Sequence, residues 1–299
     1  MRLRPAFIPA SSHHYNSPRM QDVAIIGAGE LGGALAHVLA RRDVAGEIRI
    51  IDEAGRVAAG KALDIAQAAP IDQFATRLSG STDISTAAGA AVIVVADRAS
   101  GGEWQGEDAL TLVKRLRQMA SGAIVLCAGA SQRELVERGV REAAVGRARL
   151  FGSAPEALAA AARAIIALET NSSPRDVALS LAGVPPSHIV LPWDDATVGG
   201  FAATRVLDEP ARRRITARLP ALWPPGPYAL ASAASKAIES MLGRSRQRAI
   251  CFVAPDDSSG ARPRTAALPV RLSAGGIAEV VLPSLNVHDQ VALDNAVLL

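Results

Sequence analysis

Two cysteines, 3% aromatic residues and a formal net charge of only +3 in 299 residues leave several classes of protein without support. Cys127 and Cys251 each sit inside an apolar run. They cannot form the disulfide framework of a small secreted domain, and are expected as buried thiols in a reducing, cytoplasmic compartment. The arginines are scattered, as at 212 to 214 and at 244, 246 and 248, with few aromatics between them. Such runs are solvated faces rather than a nucleic-acid surface. No apolar run has the length needed to span a bilayer, so no membrane partner is expected. Nor is a metal site expected. Acids are missing from residues 1 to 19, which carry Arg2, Arg4 and Arg19 among prolines and serines without an apolar core of signal-peptide length. Residues 1–20 are therefore expected as a disordered basic extension, or as the product of an over-called start codon, since Met20 immediately precedes the first strand.

Half of the composition is hydrophobic (49%) and a fifth charged (20%), an ordinary globular balance. Residues 23 to 53 organise the rest. Val23 to Ile26 is an unbroken apolar run of strand length, as in a strand buried on both faces of a parallel sheet. Gly27, Gly29 and Gly32 follow at GxGxxG spacing, with Ala28, Glu30 and Leu31 between them. The first glycine permits the tight turn, the second lets backbone approach a pyrophosphate, and the third lets the helix lie against the strand. Leu31, Leu35, Val38 and Leu39 recur at helical spacing, and a second strand, Glu47 to Ile51, ends in Asp52. That carboxylate can accept the hydroxyls of an adenosine ribose. A Gly-rich turn beside an acidic strand end is the plainer reading, but it leaves the joint spacing of strand, glycines, helix and acid unexplained.

Further along, 91–96 (AVIVVA) and 123–128 (AIVLCA) are buried strand runs on either side of a helix expected over 107–120. The first ends at Val95 and Ala96, which with Arg98 are expected to line the nucleotide site. Residues 147–151 supply a last strand. This alternation predicts an α/β fold, a Rossmann-type doubly wound parallel sheet over 21–152. Ser153, with Glu156 three residues on and Pro155 between, marks a helix start through a capping box and the boundary to a mixed α+β second domain over 153–299. There, 178–183 and 188–192 are expected as strands, 227–243 as a helix, 248–254 as a strand, and 268–283 as a hairpin turned at Gly275-Gly276.

These residues resemble the NAD-dependent malate and lactate dehydrogenases over nearly all of 21–299. The most specific stretch is Gly60 to Pro70, GKALDIAQAAP, similar to the family's GKALD-x-x-x-A-x-P segment. PYALASAASKAIESML and LPVRLSAGGIAEVVLPSLN resemble the family's C-terminal helix and hairpin. The resemblance implies NAD as cofactor and assembly as a homodimer or tetramer. It also implies a histidine base, an aspartate that orients it, an arginine clamp for the substrate carboxylate and a second arginine on a mobile loop.

This sequence departs from the family at each of those groups. Ala159 and Ala162 stand where the motif LDSAR has its aspartate and arginine, and Arg163 is one step away, about 100° around the helix. Proline, Pro185 or Pro186, takes the histidine's place in the turn GVPPS. Ser100 and Gly106 stand at the loop arginines, Ala128-Gly129 replaces the Asn-Pro after the next strand, and Asp97 replaces a glycine beside the expected pyrophosphate. No catalytic residue can be assigned. The expected protein is an NAD(H)-binding relative that is catalytically silent toward malate and lactate. Two alternatives stay open: an active oxidoreductase on another 2-hydroxy or 2-oxo acid, using His188 with Asp194 or Asp195, and an assembly surface without nucleotide. If Asp52 faces the ribose, NAD binds at least about tenfold more tightly than NADP, whose extra phosphate meets a like charge. Equal affinities in calorimetry would remove Asp52 from the site.

Overall fold

The computed structural model describes residues 21–256 and 264–298, so the expected basic extension over 1–20 lies outside the described residues. From its start the chain alternates strand and helix. The strand β1 (Val23–Ile26) leads to helix α1 (Glu30–Arg41), β2 (Glu47–Ile51), α2 (Gly55–Asp72), β3 (Arg77–Ser81) and β4 (Val92–Val95). Then come α3 (Gly106–Met119), β5 (Ile124–Cys127), α4 (Arg133–Arg141), β6 (Leu150–Gly152) and α5 (Ala154–Glu169). All four residues of β1, β4 and β5 are buried, the burial their uninterrupted apolar runs predict. The first six strands are parallel and ordered β3-β2-β1-β4-β5-β6. This is the doubly wound sheet, and its order reverses between β1 and β4, where a crevice opens at the carboxyl ends of the strands.

The remainder is mixed. It holds β7 (Val177–Ala178), β8 (Ala182–Val184), β9 (His188–Val190), β10 (Thr197–Val198), β11 (Phe201–Ala202), α6 (Ala203–Val206) and α7 (Glu209–Arg218). It ends with α8 (Pro227–Met241), β12 (Ala249–Val253), β13 (Ala266–Ser273), β14 (Gly276–Val280) and α9 (Val287–Leu298). β12 pairs antiparallel with β6 at Phe252 and Gly152, so the sheet continues through β13 to β8 and β9. Helix α1 packs on α8, and α8 on α5. Both thiols are fully buried, and burial with the Glu103 charge nearby pushes Cys127 up to about 12. They are inert packing groups. No helix among the described residues is long and apolar enough to cross a membrane.

Three local expectations need correction. The run 178–183 is two pieces: β7 pairs with β10 in a small separate sheet, while β8 belongs to the main one. The hairpin turns one residue earlier than expected, with Ser273 opposite Gly276, and Gly276 (φ 98°) comes so close to the Ala148 carbonyl that a Cβ there would lie 2.0 Å from its oxygen. Ser153 and Glu156 form no capping box. Glu156 is buried (3% exposed), and its carboxylate accepts hydrogen bonds from Lys236 Nζ at 2.7 Å, Arg163 Nη2 at 2.5 Å and the Ile250 N–H at 2.9 Å. A tertiary demand outweighs the local one, and three elements, α5, α8 and β12, are tied through one carboxylate.

Glu156→Gln keeps the shape but leaves two cations without their anion. Breaking a buried ion pair costs about 3–5 kcal/mol. Arg163 and Lys236 keep 20% and 26% of their side-chain surface in solvent, which reduces the expected loss to about 2–3 kcal/mol in urea unfolding. A loss below about 0.5 kcal/mol would leave the cluster without a structural role.

Candidate nucleotide-binding site

The expected phosphate turn lies between β1 and α1, at the sheet's reversal point. Gly27 has φ 120°, and a Cβ on it would lie 2.2 Å from the Asp97 carbonyl oxygen. A Cβ on Gly32 would lie 2.1 Å from the Gly27 carbonyl oxygen, so helix and turn touch through backbone. Both glycines are required by close approach, as the spacing predicts. Val95 and Ala96 are buried at the end of β4, and Glu30 is exposed in the first turn of α1.

Asp52 ends β2 with its carboxylate held by backbone. Oδ2 accepts from the Ala28 N–H at 2.8 Å and the Ala99 N–H at 2.9 Å, and Oδ1 from the Ala54 N–H at 2.8 Å. Burial pushes its pKa up, but these three amides and the charge of Lys61 more than offset that, and the net shift is downward. Asp52 is therefore an anion. Beside it opens a cavity of about 490 Å³, within the range of small-molecule sites. Thr82, Ile84, Arg98, Trp104 and Arg115 contribute to its walls. Its position at the ends of β2 and β4 suits the adenosine half of a dinucleotide.

The phosphate half is different. Helix α1 starts at Gly29 without a cap from its own side chains. The acceptor comes from Asp97, whose Oδ2 accepts from the Leu31 N–H at 3.2 Å and whose Oδ1 accepts from the Gly32 N–H at 2.9 Å. Its backbone carbonyl takes the Gly29 N–H at 3.0 Å. A Cβ on Gly29 would lie 2.3 Å from that carboxylate, so the space glycine leaves for a pyrophosphate is filled by the chain's own anion. Lys61 closes the other side by donating to the Gly29 carbonyl at 2.5 Å.

Residues 97–105, which replace the mobile loop of the resemblance, are folded onto this edge. Asp97 and Glu103 form a β-bridge, and the Arg98 N–H donates to the Gly102 carbonyl at 3.0 Å. Gly101 and Gly102 have φ of 96° and 81°. The Arg98 guanidinium lies 4.0 Å from the centre of the Trp104 ring and 3.6 Å from Asp108, so it lines the cavity rather than bonding the Asp97 carboxylate. Glu103 accepts from the Ala130 and Ser131 N–H groups at 2.9 and 2.8 Å. Burial raises its pKa; these amides oppose the shift and Asp97 adds to it, for a net rise. A Cβ on Gly129 would lie 2.2 Å from Glu103, so a second carboxylate covers the turn after β5, the expected nicotinamide side.

Ala159 and Ala162 are fully buried, and Arg163 turns to Glu156 and the Leu179 carbonyl. Ser100 and Gly106 are exposed. Pro185 and Pro186 form the bend between β8 and β9, with His188 exposed opposite Val184. Among the described residues no hydrogen bond or ion pair joins His188 to an acid. Asp194 instead accepts from Asn286 at 3.1 Å. No group of described residues could hold a metal ion. Sequence reasoning missed Lys61, Glu103, Trp104 and Arg115. Lys61 lay in the 60–70 segment and Trp104 in the aligned loop, but neither spacing nor periodicity marks which amides a loop acid will reach.

Residues 21–121 match the family model described as lactate/malate dehydrogenase, NAD binding domain. The malate dehydrogenase of Desulforudis audaxviator is 27% identical over 93% of this chain and 96% of its own length. That of Roseobacter denitrificans is 28% identical over 92% and 93%. The chain is thus similar to malate dehydrogenases over most of its length, and residues 21–121 match the lactate/malate dehydrogenase NAD binding domain. Its fold is likewise similar to the malate dehydrogenase of Salinibacter ruber, with TM-score 0.81 and 24% identity over 92% of this chain and 93% of that one. The lactate dehydrogenase of Cryptosporidium parvum, solved with lactic acid and NAD, gives TM-score 0.83 at 18% identity over 93% and 94%. NAD, the cofactor expected from the sequence, is the one named for the matched domain. The cavity beside Asp52 has room for the adenosine half of that cofactor, whereas the space at Gly29 in the phosphate turn is occupied by Asp97.

Because the Gly29 space is taken by Asp97, adding a methyl group there stresses the protein itself. Gly29→Ala is expected to destabilise the ligand-free chain by about 1–3 kcal/mol, and the same change in an Asp97→Gly background by less than half as much. Equal losses in both backgrounds, measured by thermal unfolding, would place the carboxylate elsewhere.

Proposed function

We propose that this chain is a catalytically silent malate/lactate dehydrogenase relative that binds NAD chiefly through its adenosine, with Asp52 facing the ribose and the cavity of Arg98, Trp104 and Arg115 around the base. The observation that carries the silent reading is the set of side chains at the family's catalytic positions. Ala159 and Ala162 are buried alanines, Pro185 and Pro186 make the histidine's turn, and Ser100 and Gly106, the latter at the start of α3, are exposed. None can take a proton from a hydroxyl or clamp a carboxylate. Names among the relatives favour the other reading, since those quoted above are called malate dehydrogenases. An active site here would need its base supplied anew, and His188, exposed and unpaired with an acid, is the histidine nearest the lost position in sequence.

The consequences for rate are large. A positioned general base is worth about 10² to 10⁴, and electrostatic stabilisation of the developing oxyanion a comparable factor. Without the carboxylate clamp, substrate is also not held for hydride transfer. Such groups act as a unit, so restoring one recovers almost nothing. NADH consumption with oxaloacetate and with pyruvate is expected to stay below about 1 per second for the native chain and for Pro185→His alone. Measurable gain is expected only when Ala159→Asp, Ala162→Arg and Ser100→Arg are added. Native turnover at or above that rate would overturn the silent reading, and its loss in His188→Ala would identify the replacement base.

A further inference from the structure

We infer that Asp97 is the specificity-determining residue of the nucleotide site: its carboxylate stands where a ligand's diphosphate would bind, so the site recognises adenosine and gives a diphosphate no advantage. The inference rests on the proposed adenosine pocket and concerns what that pocket's neighbour does to ligand choice.

The first turn of an α-helix leaves its N–H groups without intrahelical partners, and their partial positive charge attracts an anion. In α1 two of those groups, at Leu31 and Gly32, already have one. Leu31 and Gly32 donate to the two oxygens of Asp97, Gly29 donates to its carbonyl, and Ala28 donates to Asp52. The carboxylate sits against the Gly29 backbone, the space the glycine keeps open. Asp97 is anchored on both sides, by the end of β4 and by its bridge to Glu103. Across the crevice Glu103 takes the Ala130 and Ser131 amides in the same way.

A diphosphate entering this turn meets a resident negative charge and no spare donors among these four amides. It must exchange one set of charge-assisted hydrogen bonds for another, which yields little net binding. Adenosine makes no such demand. Its ribose and base approach the cavity beside Asp52, Arg98 and Trp104 without displacing Asp97. A merely structural cap predicts something else: loss of Asp97 would then weaken the fold and leave the ranking of ligands unchanged.

The test is calorimetry of the full chain with adenosine, ADP and NAD, for the native protein, Asp97→Gly and the shape-preserving Asp97→Asn. In the native chain ADP and NAD are expected to bind within about threefold of adenosine. In Asp97→Gly they are expected to bind at least about tenfold more tightly than in the native chain, and in Asp97→Asn, which removes the charge but keeps the volume, by a smaller factor, with adenosine unchanged within about twofold in both. In parallel, inorganic pyrophosphate should raise the melting temperature of the variants and leave that of the native chain unmoved. Native preference for ADP or NAD over adenosine by tenfold or more overturns the inference, as does a variant that melts lower but keeps the native ranking. If adenosine binds to none of the proteins while pyrophosphate still stabilises only the variants, the adenosine pocket is wrong and the role of Asp97 as a resident anion stands. If neither ligand has an effect on any of them, both fall.

Discussion

The carboxylate of Asp97 against the first amides of α1 is the interaction on which the rest of the carboxyl edge depends. Through its side chain Asp97 caps a helix far earlier in the chain, at the Leu31 and Gly32 amides, 66 and 65 residues away. Through its backbone it takes the Gly29 N–H and comes so close to Gly27 that only glycine fits there. The loop that follows is fixed by the same contact. Once Asp97 is seated, the Ala99 amide reaches Asp52 and the bridge to Glu103 brings that acid over the turn after β5. The motif glycines thus serve a close approach, as in a dinucleotide site, but the group approached belongs to the protein.

The substitutions at the family's catalytic positions form a consistent set. A buried aspartate or arginine stripped of its partner is costly, because the remaining charge keeps its desolvation penalty without compensation. Here neither remains: Ala159 and Ala162 present only methyl groups to the core, and the nearby Arg163 is satisfied by Glu156. The proline turn needs no partner for an imidazole, and Ser100 and Gly106 leave no charge on the loop to be held. No half of a catalytic pair survives to be unsatisfied. Such complete removal is what the proposed silent reading requires.

Much of this was legible in the residues. The buried strands β1, β4 and β5 declared themselves through unbroken apolar runs, and the glycine spacing with Asp52 placed the crevice, because strand burial and close backbone approach leave direct compositional marks. Helices α2, α4, α6, α7 and α9 were not anticipated. The 18 residues of α2 bury only Ala58, Ala62 and Ile65, and Pro70 falls inside it, so its apolar period is faint. Glu156 misled for a different reason: three residues after a serine it satisfies the local pattern of a capping box, yet Lys236 and Ile250, 80 and 94 residues away, claim it. Asp97 was legible as a charge near the phosphate turn and illegible as its occupant. Proximity follows from the end of β4, whereas the choice of amides depends on how the loop to Glu103 closes.

Two aspartates therefore share one set of turn donors, and the division has a physical logic. Asp52 takes Ala28 from the glycine turn, Ala54 from its own segment and Ala99 from the loop; Asp97 takes Leu31 and Gly32. Each ties the glycine turn to another part of the crevice, so the Ala28, Leu31 and Gly32 amides have partners without ligand. A turn of this kind in a dinucleotide enzyme keeps its donors for the phosphates, and the bound cofactor completes it. Here completion is internal. In the proposed reading a ligand adds contact only with the cavity beside Asp52, at the adenosine end, while the sheet, the glycines and the helix keep the arrangement of a doubly wound fold.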